Sequence, residues 1–411
     1  MIKIITIFIF FILTSINTFS QNTFSITGKV KDNKDVLSGV GVFVSGYKIA
    51  TVTNNDGTYS LSLKAGSYDI LFQSIGYKTL VKNIVVSDKI IVLDVVLEED
   101  TKQLNEITIK PDPNRGKYIN LFTDLFLGTT PNAAQCKIIN PNVLIVDYNQ
   151  DDSKMTVKTT QFLIIENKAL GYRIKYQLDL FEWNGKTNVT RYEGYPYYED
   201  LNGSYSQTKR WTKKRDIAYF GSSNHFFSSL FSGKSKEEGF IINKMKKQVD
   251  RTRPSDSLIN AKIKYFRISG MGSVGKHRLN PADDDSLNHW TDEKYRPKQI
   301  AVLHQQNVMP ETLVETYNES IKSINFSDVI SVVYTNEKEE PSYLNDAIPV
   351  PRPSNMLNYQ VSLINLLASP VYFYENGGIQ NPRSIMYEGY WAWEKIADSV
   401  PLDYQPEKPV K

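Results

Sequence analysis

Cysteine is almost absent from this chain of 411 residues. Cys136 is the only one, so no disulfide can form within the chain and the core must be held together by packing alone. Its near neighbours include Ala133, Ala134 and Ile138. Such surroundings predict a small buried side chain and not a reactive thiolate.

Histidine is also scarce, and its positions do not form a zinc-binding pattern. A catalytic zinc usually takes three protein ligands, and His-x-x-Glu or His-Glu-x-x-His spacing places two of them on one surface. Neither spacing occurs at any histidine, and the Gly-x-Ser-x-Gly motif of serine hydrolases is missing as well. We therefore expect no zinc peptidase and no bound cofactor. The histidines are His225, His277, His289 and His304.

An excess of charge of one sign is lacking too. The chain has 48 basic and 45 acidic side chains, a formal net charge of +3. This balance provides no electrostatic basis for binding nucleic acid, so no nucleic-acid partner is expected.

Long apolar runs are absent except at the start of the chain. Lys3 precedes an almost entirely apolar stretch over residues 4–13, and Thr18 and Ser20 supply small residues at −3 and −1 of a cleavage site before Gln21. A basic start, a short apolar stretch and a small-residue cleavage site are typical of a secretory signal peptide. We predict a signal peptide at residues 1–20, no transmembrane segment after its removal, and export to the periplasm or the outer membrane.

Residues 24–97 alternate apolar and polar side chains with the period of two that is typical of strands. Reversals are predicted at Asp56-Gly57, Gly66 and Gly76, because glycine, asparagine and aspartate tolerate the backbone conformations of tight turns. The order of these motifs, Thr53-Asn54-Asn55-Asp56-Gly57-Thr58-Tyr59, then Gly66-Ser67-Tyr68, then Ser74-Ile75-Gly76-Tyr77, resembles the carboxypeptidase regulatory-like, or transthyretin-like, domain of bacterial envelope proteins. The resemblance implies a β-sandwich over residues 21–98 and an accessory role without catalysis.

The remainder of the chain has a different pattern. Residues 99–115 are polar and contain Pro111 and Pro113, which predicts a linker. Residues 116–411 mix helical and strand periodicities, which favours a larger α+β domain within a mainly β protein. An apolar stripe at helical spacing predicts a helix over residues 118–126 that stops at Gly128, and alternation predicts strands at residues 172–180 and 262–268. Three runs of this domain, at 126–141, 165–172 and 389–404, resemble the uncharacterised region that follows the same module in other exported proteins. That resemblance implies no known chemistry.

Two clusters are candidate sites. Asp283, Asp284 and Asp285 form the densest carboxylate group, but the ligand spacing of an EF-hand calcium loop is missing, so calcium binding stays open beside a solvated acidic loop. Aromatic side chains are abundant, and exposed ones anchor protein or sugar partners, although aromatic residues more often fill a β core. The candidate interface residues are Tyr195, Tyr197, Tyr198, Trp391 and Trp393.

These observations predict an exported envelope protein that binds or scaffolds a protein or glycan partner and does no chemistry. The alternative is a hydrolase whose site lies in the C-terminal domain and carries no recognisable motif. A pocket with converging polar groups would favour the hydrolase, and a broad aromatic surface would favour the binding protein.

Overall fold

The computed structural model describes residues 23–87, 89–100, 112–271, 281–346, 350 and 358–407. The predicted signal peptide and cleavage site, and most of the predicted linker, lie outside these residues. The described chain forms two compact units: residues 23–45 and 49–100 belong to the first, and residues 46–48 and those from 112 onward belong to the second. Sheets dominate both units, so the predicted mainly β class is confirmed.

The first unit consists of two β-sheets that enclose one core. Tyr59 of one sheet and Phe72 of the other meet edge to face, with ring centroids 5.5 Å apart. The Tyr59 hydroxyl donates to the carbonyl oxygen of Leu93 (2.7 Å). The strands are β1 (Thr23–Lys31), β2 (Gly41–Val44), β3 (Ala50–Val52), β4 (Thr58–Lys64), β5 (Gly66–Gln73), β6 (Leu80–Val86), β7 (Ile91–Val92) and β8 (Val95–Val96).

The two sheets of the first unit follow from the period-two pattern. One has the order β4-β1-β7, with β8 also paired to β1, and the other has the order β3-β2-β5-β6. The apolar residues of β4 are buried at alternate positions, as the sequence predicts, and in β5 Leu71 is buried in addition to the alternating Tyr68, Ile70 and Phe72. One expectation is wrong: Asp56-Gly57 does not close a hairpin, because β3 and β4 lie in different sheets and the turn carries the chain from one sheet to the other.

The second unit combines further sheets with helices. Its helices are α1 (Arg115–Leu127), α2 (Tyr205–Tyr219), α3 (Ser223–Phe231), α4 (Asp256–Met271), α5 (Pro281–Tyr295), α6 (Pro341–Asp346) and α7 (Tyr390–Trp393). Its strands are β9 (Cys136–Ile138), β10 (Leu144–Asn149), β11 (Lys154–Thr159), β12 (Leu163–Asn167), β13 (Tyr172–Asn184), β14 (Val189–Asp200), β15 (Phe240–Val249), β16 (Gln299–Gln305), β17 (Val314–Thr316), β18 (Ile321–Ile324), β19 (Val329–Lys338), β20 (Tyr359–Leu366), β21 (Val371–Tyr374) and β22 (Ile385–Gly389).

Three sheets organise the described part of the second unit. The first has the order β10-β11-β13-β12-β9, with β14 also on β13, the second has the order β16-β15-β19-β20-β22, and the third has the order β17-β18-β21. Helix α1 presents its predicted apolar stripe to the first sheet: Phe122 packs edge to face on Phe181, and Phe126 packs likewise on Tyr176. Gly128 ends this helix at the predicted position.

Two predictions about local structure in the second unit are wrong. Residues 262–268 were expected to form a strand, but they lie in α4, where Ile259 and Ile263 form the buried side at a spacing of four. The acidic run at Asp283 was expected in a loop, but it lies in helix α5. The glycine-rich stretch after Met271 lies outside the described residues.

Candidate functional site

Trp391 and Trp393 are buried, so the expectation that they are exposed anchors is wrong. Their exposed fractions are 7% and 8%, and they lie in the short helix α7 instead of on one face of a strand. Trp391 packs against Phe226, and its indole N–H donates to the carbonyl oxygen of Gly221 (2.7 Å). Trp393 packs against Tyr343 and Tyr390. Both rings contribute to the core because each is surrounded by other aromatic side chains.

The tyrosine cluster on β14 is also largely inside the protein. Tyr197 and Tyr198 are buried, and Tyr195 is half-buried. Tyr198 packs edge to face on Tyr172, and its hydroxyl group is 2.9 Å from that of Ser399. Burial raises the pKa of Tyr198 to about 12, so its hydroxyl stays protonated at physiological pH. The expectation that Tyr197 and Tyr198 are exposed anchors is therefore wrong, as it is for the two tryptophans.

The three runs that resemble other exported proteins meet in the folded chain. Asp398 accepts hydrogen bonds from the Thr130 hydroxyl (2.9 Å) and from the Asn132 amide (2.8 Å). The Asn167 amide donates to the carbonyl oxygen of Ala397 (2.8 Å). Polar groups more than 200 positions apart are therefore paired inside the second unit.

The carboxyl groups of this junction have raised pKa values. Burial raises the pKa of Asp398 to about 6, against the opposing effect of the bonds from Thr130 and Asn132. Burial, with Asp398 and Glu337 as nearby like charges, raises the pKa of Glu394 well above its usual range. Raised carboxyl pKa values occur at acid–base catalysts, but both oxygens of Asp398 already accept bonds that hold the fold. We read Asp398 as a structural group.

A small polar recess on the second unit is a candidate site. Its volume is about 170 Å³. Binding sites for drug-sized ligands are about 300–1,000 Å³, so this recess accommodates a single ring and not a larger molecule. We call it the His225 recess, and it is lined by Tyr219, Phe220, His225, Ser228, Ser229, Ser232, Glu238 and Pro406.

The turn between α2 and α3 builds the inner wall of the His225 recess. Gly221 has φ +81°, and a Cβ there would lie 2.6 Å from side-chain atoms of Gln360 and Tyr334, so only glycine fits. Ser222 caps α3 by accepting from the backbone N–H of His225 (3.2 Å). The Gly221 N–H donates to His225 Nδ1 (3.0 Å), while the Trp391 indole N–H donates to the Gly221 carbonyl oxygen. The buried tryptophan thus supports the recess.

The hydrogen bonding and lowered pKa of His225 argue against its acting as a general base. Because Nδ1 accepts from a backbone N–H, the neutral ring carries its proton on Nε2, which faces Glu238 Oε2 at 3.6 Å. Burial among aromatic rings lowers the pKa of His225 to about 4, so the ring is neutral at physiological pH. Neither nitrogen is left to take a proton from Ser228 or Ser232, so the arrangement does not activate a serine as a nucleophile.

Polar groups converge at the mouth of the recess. The Tyr219 hydroxyl is hydrogen-bonded to Ser228, and the side chain of Glu238 is 43% exposed. Ser232 is exposed at the end of α3. The recess therefore offers aromatic surface, hydroxyl groups and one accessible carboxylate to a ligand, a combination that suits hydroxylated rings.

The predicted turn residues of the first unit have distinct geometries. Gly57 has φ +77°, and Asp56 accepts from the Thr58 N–H (3.1 Å) and hydroxyl (2.7 Å), which lower its pKa. Gly76 has φ +85° in a tight turn where the Tyr77 N–H donates to the Ser74 carbonyl oxygen (3.2 Å). Gly66 is the first residue of β5. These positions shape the sandwich and bring no reactive groups together.

No metal centre is visible in the described part of the second unit or the first. Among the described residues, histidine, cysteine and acidic side chains do not gather in groups of three or more that could hold an ion. Asp285 is exposed, and the side chains of Asp283 and Asp284 lie outside the described set. Calcium binding by this acidic run stays an untested alternative.

A family comparison bears on the first unit. Residues 26–109 match the model of the CarboxypepD_reg-like domain. The first unit carries this domain. The predicted resemblance to the carboxypeptidase regulatory-like family is thus confirmed for the N-terminal part of the chain. The matched domain is a regulatory-like domain, and the match does not extend over the His225 recess.

Other comparisons add little. No curated protein matches the chain. A type II cohesin–X-dockerin complex from Acetivibrio cellulolyticus is 18% identical, with 18% of this chain and 58% of that chain covered and a TM-score of 0.17. DUF3823 family proteins from Bacteroides ovatus and Parabacteroides merdae are each 12% identical, cover 44% and 46% of this chain and 83% and 85% of their own, and have TM-scores of 0.17 and 0.16. Scores this low support no conclusion about fold or function.

None of the described helices combines the length and apolar character needed to cross a bilayer.

The His225 recess was not among the sites predicted from the sequence. The available signal was Gly221-Ser222-Ser223, a helix start with a glycine before it, followed after one residue by a histidine and two phenylalanines.

Proposed function

We propose that this chain is an exported, non-catalytic envelope protein that binds a glycan through the His225 recess, with the CarboxypepD_reg-like domain as an accessory module. The observation that carries the proposal is a space of about 170 Å³ at which aromatic and polar groups converge. These groups are the rings of Tyr219 and Phe220, the hydroxyl groups of Ser228 and Ser232, and the accessible carboxylate of Glu238. A cavity of about 150 Å³ holds one benzene ring, so the size fits one sugar unit.

The charge of the recess selects among sugars. The neutral His225 ring contributes no positive charge at physiological pH, and Glu238 contributes a negative one. A uronic or sialic acid would bring its carboxylate next to Glu238 without a balancing cation in the lining, which is unfavourable. The proposed ligand is therefore the uncharged end of a glycan, whose paired hydroxyl groups donate to the carboxylate.

The experiment is a binding measurement with the full chain and a panel of neutral and anionic oligosaccharides. We expect saturation-transfer NMR signals from the terminal ring of neutral members, with affinities weaker than micromolar because one ring buries little surface. Glu238→Ala should weaken binding at least tenfold. Glu237→Ala is the matched control, since Glu237 is exposed and outside the lining.

Three outcomes contradict the proposal. One is the absence of saturation transfer from every oligosaccharide, which would direct attention to a protein partner. Another is equal binding by the Glu238→Ala variant, which would place the ligand elsewhere. The third is turnover of a glycoside, ester or peptide by the purified chain, which would support the hydrolase alternative.

A further inference from the structure

An edge strand in the second unit is unprotected. Strand β16 ends its sheet and pairs only with β15, and within the described residues no strand pairs with its outer edge. Its sequence, Gln-Ile-Ala-Val-Leu-His-Gln, contains no lysine, arginine, acidic residue or proline. Exposed edges that lack such residues readily pair with another strand.

The other long edge strands of the described residues differ from β16 because they carry charged side chains. Each described edge strand of five or more residues, apart from β16, carries at least one charged side chain. Charged residues on edges disfavour pairing with a second chain. The protected strands are β4 with Lys64, β6 with Lys82, β10 with Asp147, β14 with Glu193 and β22 with Glu388.

The strand next to this edge adds a second argument. Pairing between β15 and β19 ends at Met245, while β15 continues to Val249 opposite β16. Residues 246–249 and 299–302 therefore form a two-stranded ribbon, and residues 246–249 are exposed. Two strands alone are marginally stable in water, and additional strands stabilise them. Ile300 of this ribbon is 39% exposed, and Leu303, which lies just beyond it on β16 opposite Met245, is 41% exposed.

We propose that β16 pairs antiparallel with β16 of a second copy of this chain, so that two ribbons become one four-stranded sheet across a two-fold axis. The register shift of β15 against β16 leaves His304 without a partner, so the regular stretch is residues 299–303. Centred on Ala301, self-pairing places Ile300 opposite Val302 of the copy, and Gln299 opposite Leu303. No like charges oppose each other, and Ile300 and Val302 join an apolar patch on one face.

The nearby lysines do not oppose this arrangement. Lys246 and Lys247 lie on β15, so each is separated from its counterpart by three strand spacings, about 14 Å. This exceeds the screening length of about 8 Å at physiological ionic strength. The repulsion is therefore weak, and because salt screens it further, association should strengthen slightly when salt is raised.

The test is sedimentation velocity of the full chain over a range of concentrations, with paired charge variants. The wild type should pass from monomer to dimer as concentration rises. Ile300→Glu with Val302→Glu, and separately Ile300→Lys with Val302→Lys, should each weaken dimerisation at least tenfold. An equimolar mixture of the two variants should form heterodimers, because opposite charges then face each other. Leu367→Glu is the control, as Leu367 is an exposed apolar residue (50%) in the loop after β20.

Hydrogen exchange supplies a readout that needs no substitution. The amides of residues 300–303 should become more protected in the wild type as concentration rises. A wild type that stays monomeric at every concentration, or a dimer that persists in both charge variants, would overturn the proposal. Association of the wild type only after addition of an unrelated extended peptide would also overturn it, in favour of a heterologous strand.

Discussion

At the scale of single residues, substitutions at Gly57 and Gly76 distinguish two ways in which an added side chain lowers stability, backbone strain and steric clash. Both have positive φ, but a Cβ at Gly57 would lie 2.7 Å from the Val30 carbonyl oxygen, whereas none of the protein lies within 4 Å at Gly76. Gly76→Ala should cost about 1–2 kcal/mol from the left-handed conformation alone. Gly57→Ala should cost more, because the backbone must also move. Urea denaturation followed by signals of the first unit measures both, and equal losses would contradict the clash.

Trp391 provides a second residue-level prediction. Trp391→Ala should destabilise the second unit by about 3–5 kcal/mol, the usual cost of truncating a buried tryptophan. Trp391→Phe keeps most of the volume but leaves the Gly221 carbonyl oxygen without its donor, so its loss should be smaller, about 1–3 kcal/mol. An alanine variant with an unchanged melting temperature would show that the ring is not core.

Asp398 should make stability depend on pH. Its pKa is about 6 in the folded protein and 3.8 in the reference state, so the folded state holds the proton longer as pH rises. Its contribution to stability is complete below pH 3.8 and is lost as pH rises through about 6. Relative to Asp398→Asn, the wild type should lose stability between pH 4 and 7.

The comparison with the variant removes the contributions of groups that do not interact with Asp398, whereas the coupling of Asp398 to Glu394 stays in the difference. His225, whose pKa is lowered to about 4 by burial, has the opposite effect, since its contribution is complete above pH 6.5 and is lost as pH falls through about 4. His225 is present in both proteins, so its contribution cancels when their free energies of unfolding are subtracted. Urea denaturation at several pH values measures the difference, and a difference independent of pH would contradict the role of burial.

At the scale of elements, the start of α2 shows a sequence signal that acts locally. Ser204 accepts from the Gln207 N–H, and the Gln207 side chain accepts from the Ser204 N–H (2.8 Å), which forms a capping box. Ser204→Ala should cost about 1 kcal/mol. Lys209→Ala, an exposed position of the same helix outside the capping box, is the control. A thermal melt checks this, and equal effects of the two substitutions would contradict the cap.

Element prediction worked where periodicity and caps agreed. Helix α1 follows from its apolar stripe and Gly128, and β13 follows from its alternation. It failed over residues 262–268, where apolar and basic residues alternate by chance within a helix whose buried positions are Ile259 and Ile263. A short alternating segment does not distinguish a strand from a helix when the surrounding stretch is not weighed.

At the scale of the whole molecule, export is the most direct prediction from sequence. The basic start, apolar stretch and small residues at Thr18 and Ser20 predict cleavage before Gln21. Mass spectrometry of protein isolated from its native host should find a mature N-terminus at Gln21 or within two residues of it. A mature protein that retains Met1 would contradict the proposal that it is exported.

The sequence by itself determined the CarboxypepD_reg-like sandwich, because alternation and turn glycines are local and repeat over a short segment. It also determined the apolar stripe of α1. Tertiary structure alone decided which aromatic residues are core, since Trp391 is buried by Phe226 and Gly221, about 165 positions away. It likewise decided that His225 and Glu238 share a recess and that Asp398 meets Asn132. Burial and hydrogen bonding depend on distant partners, which periodicity does not reveal.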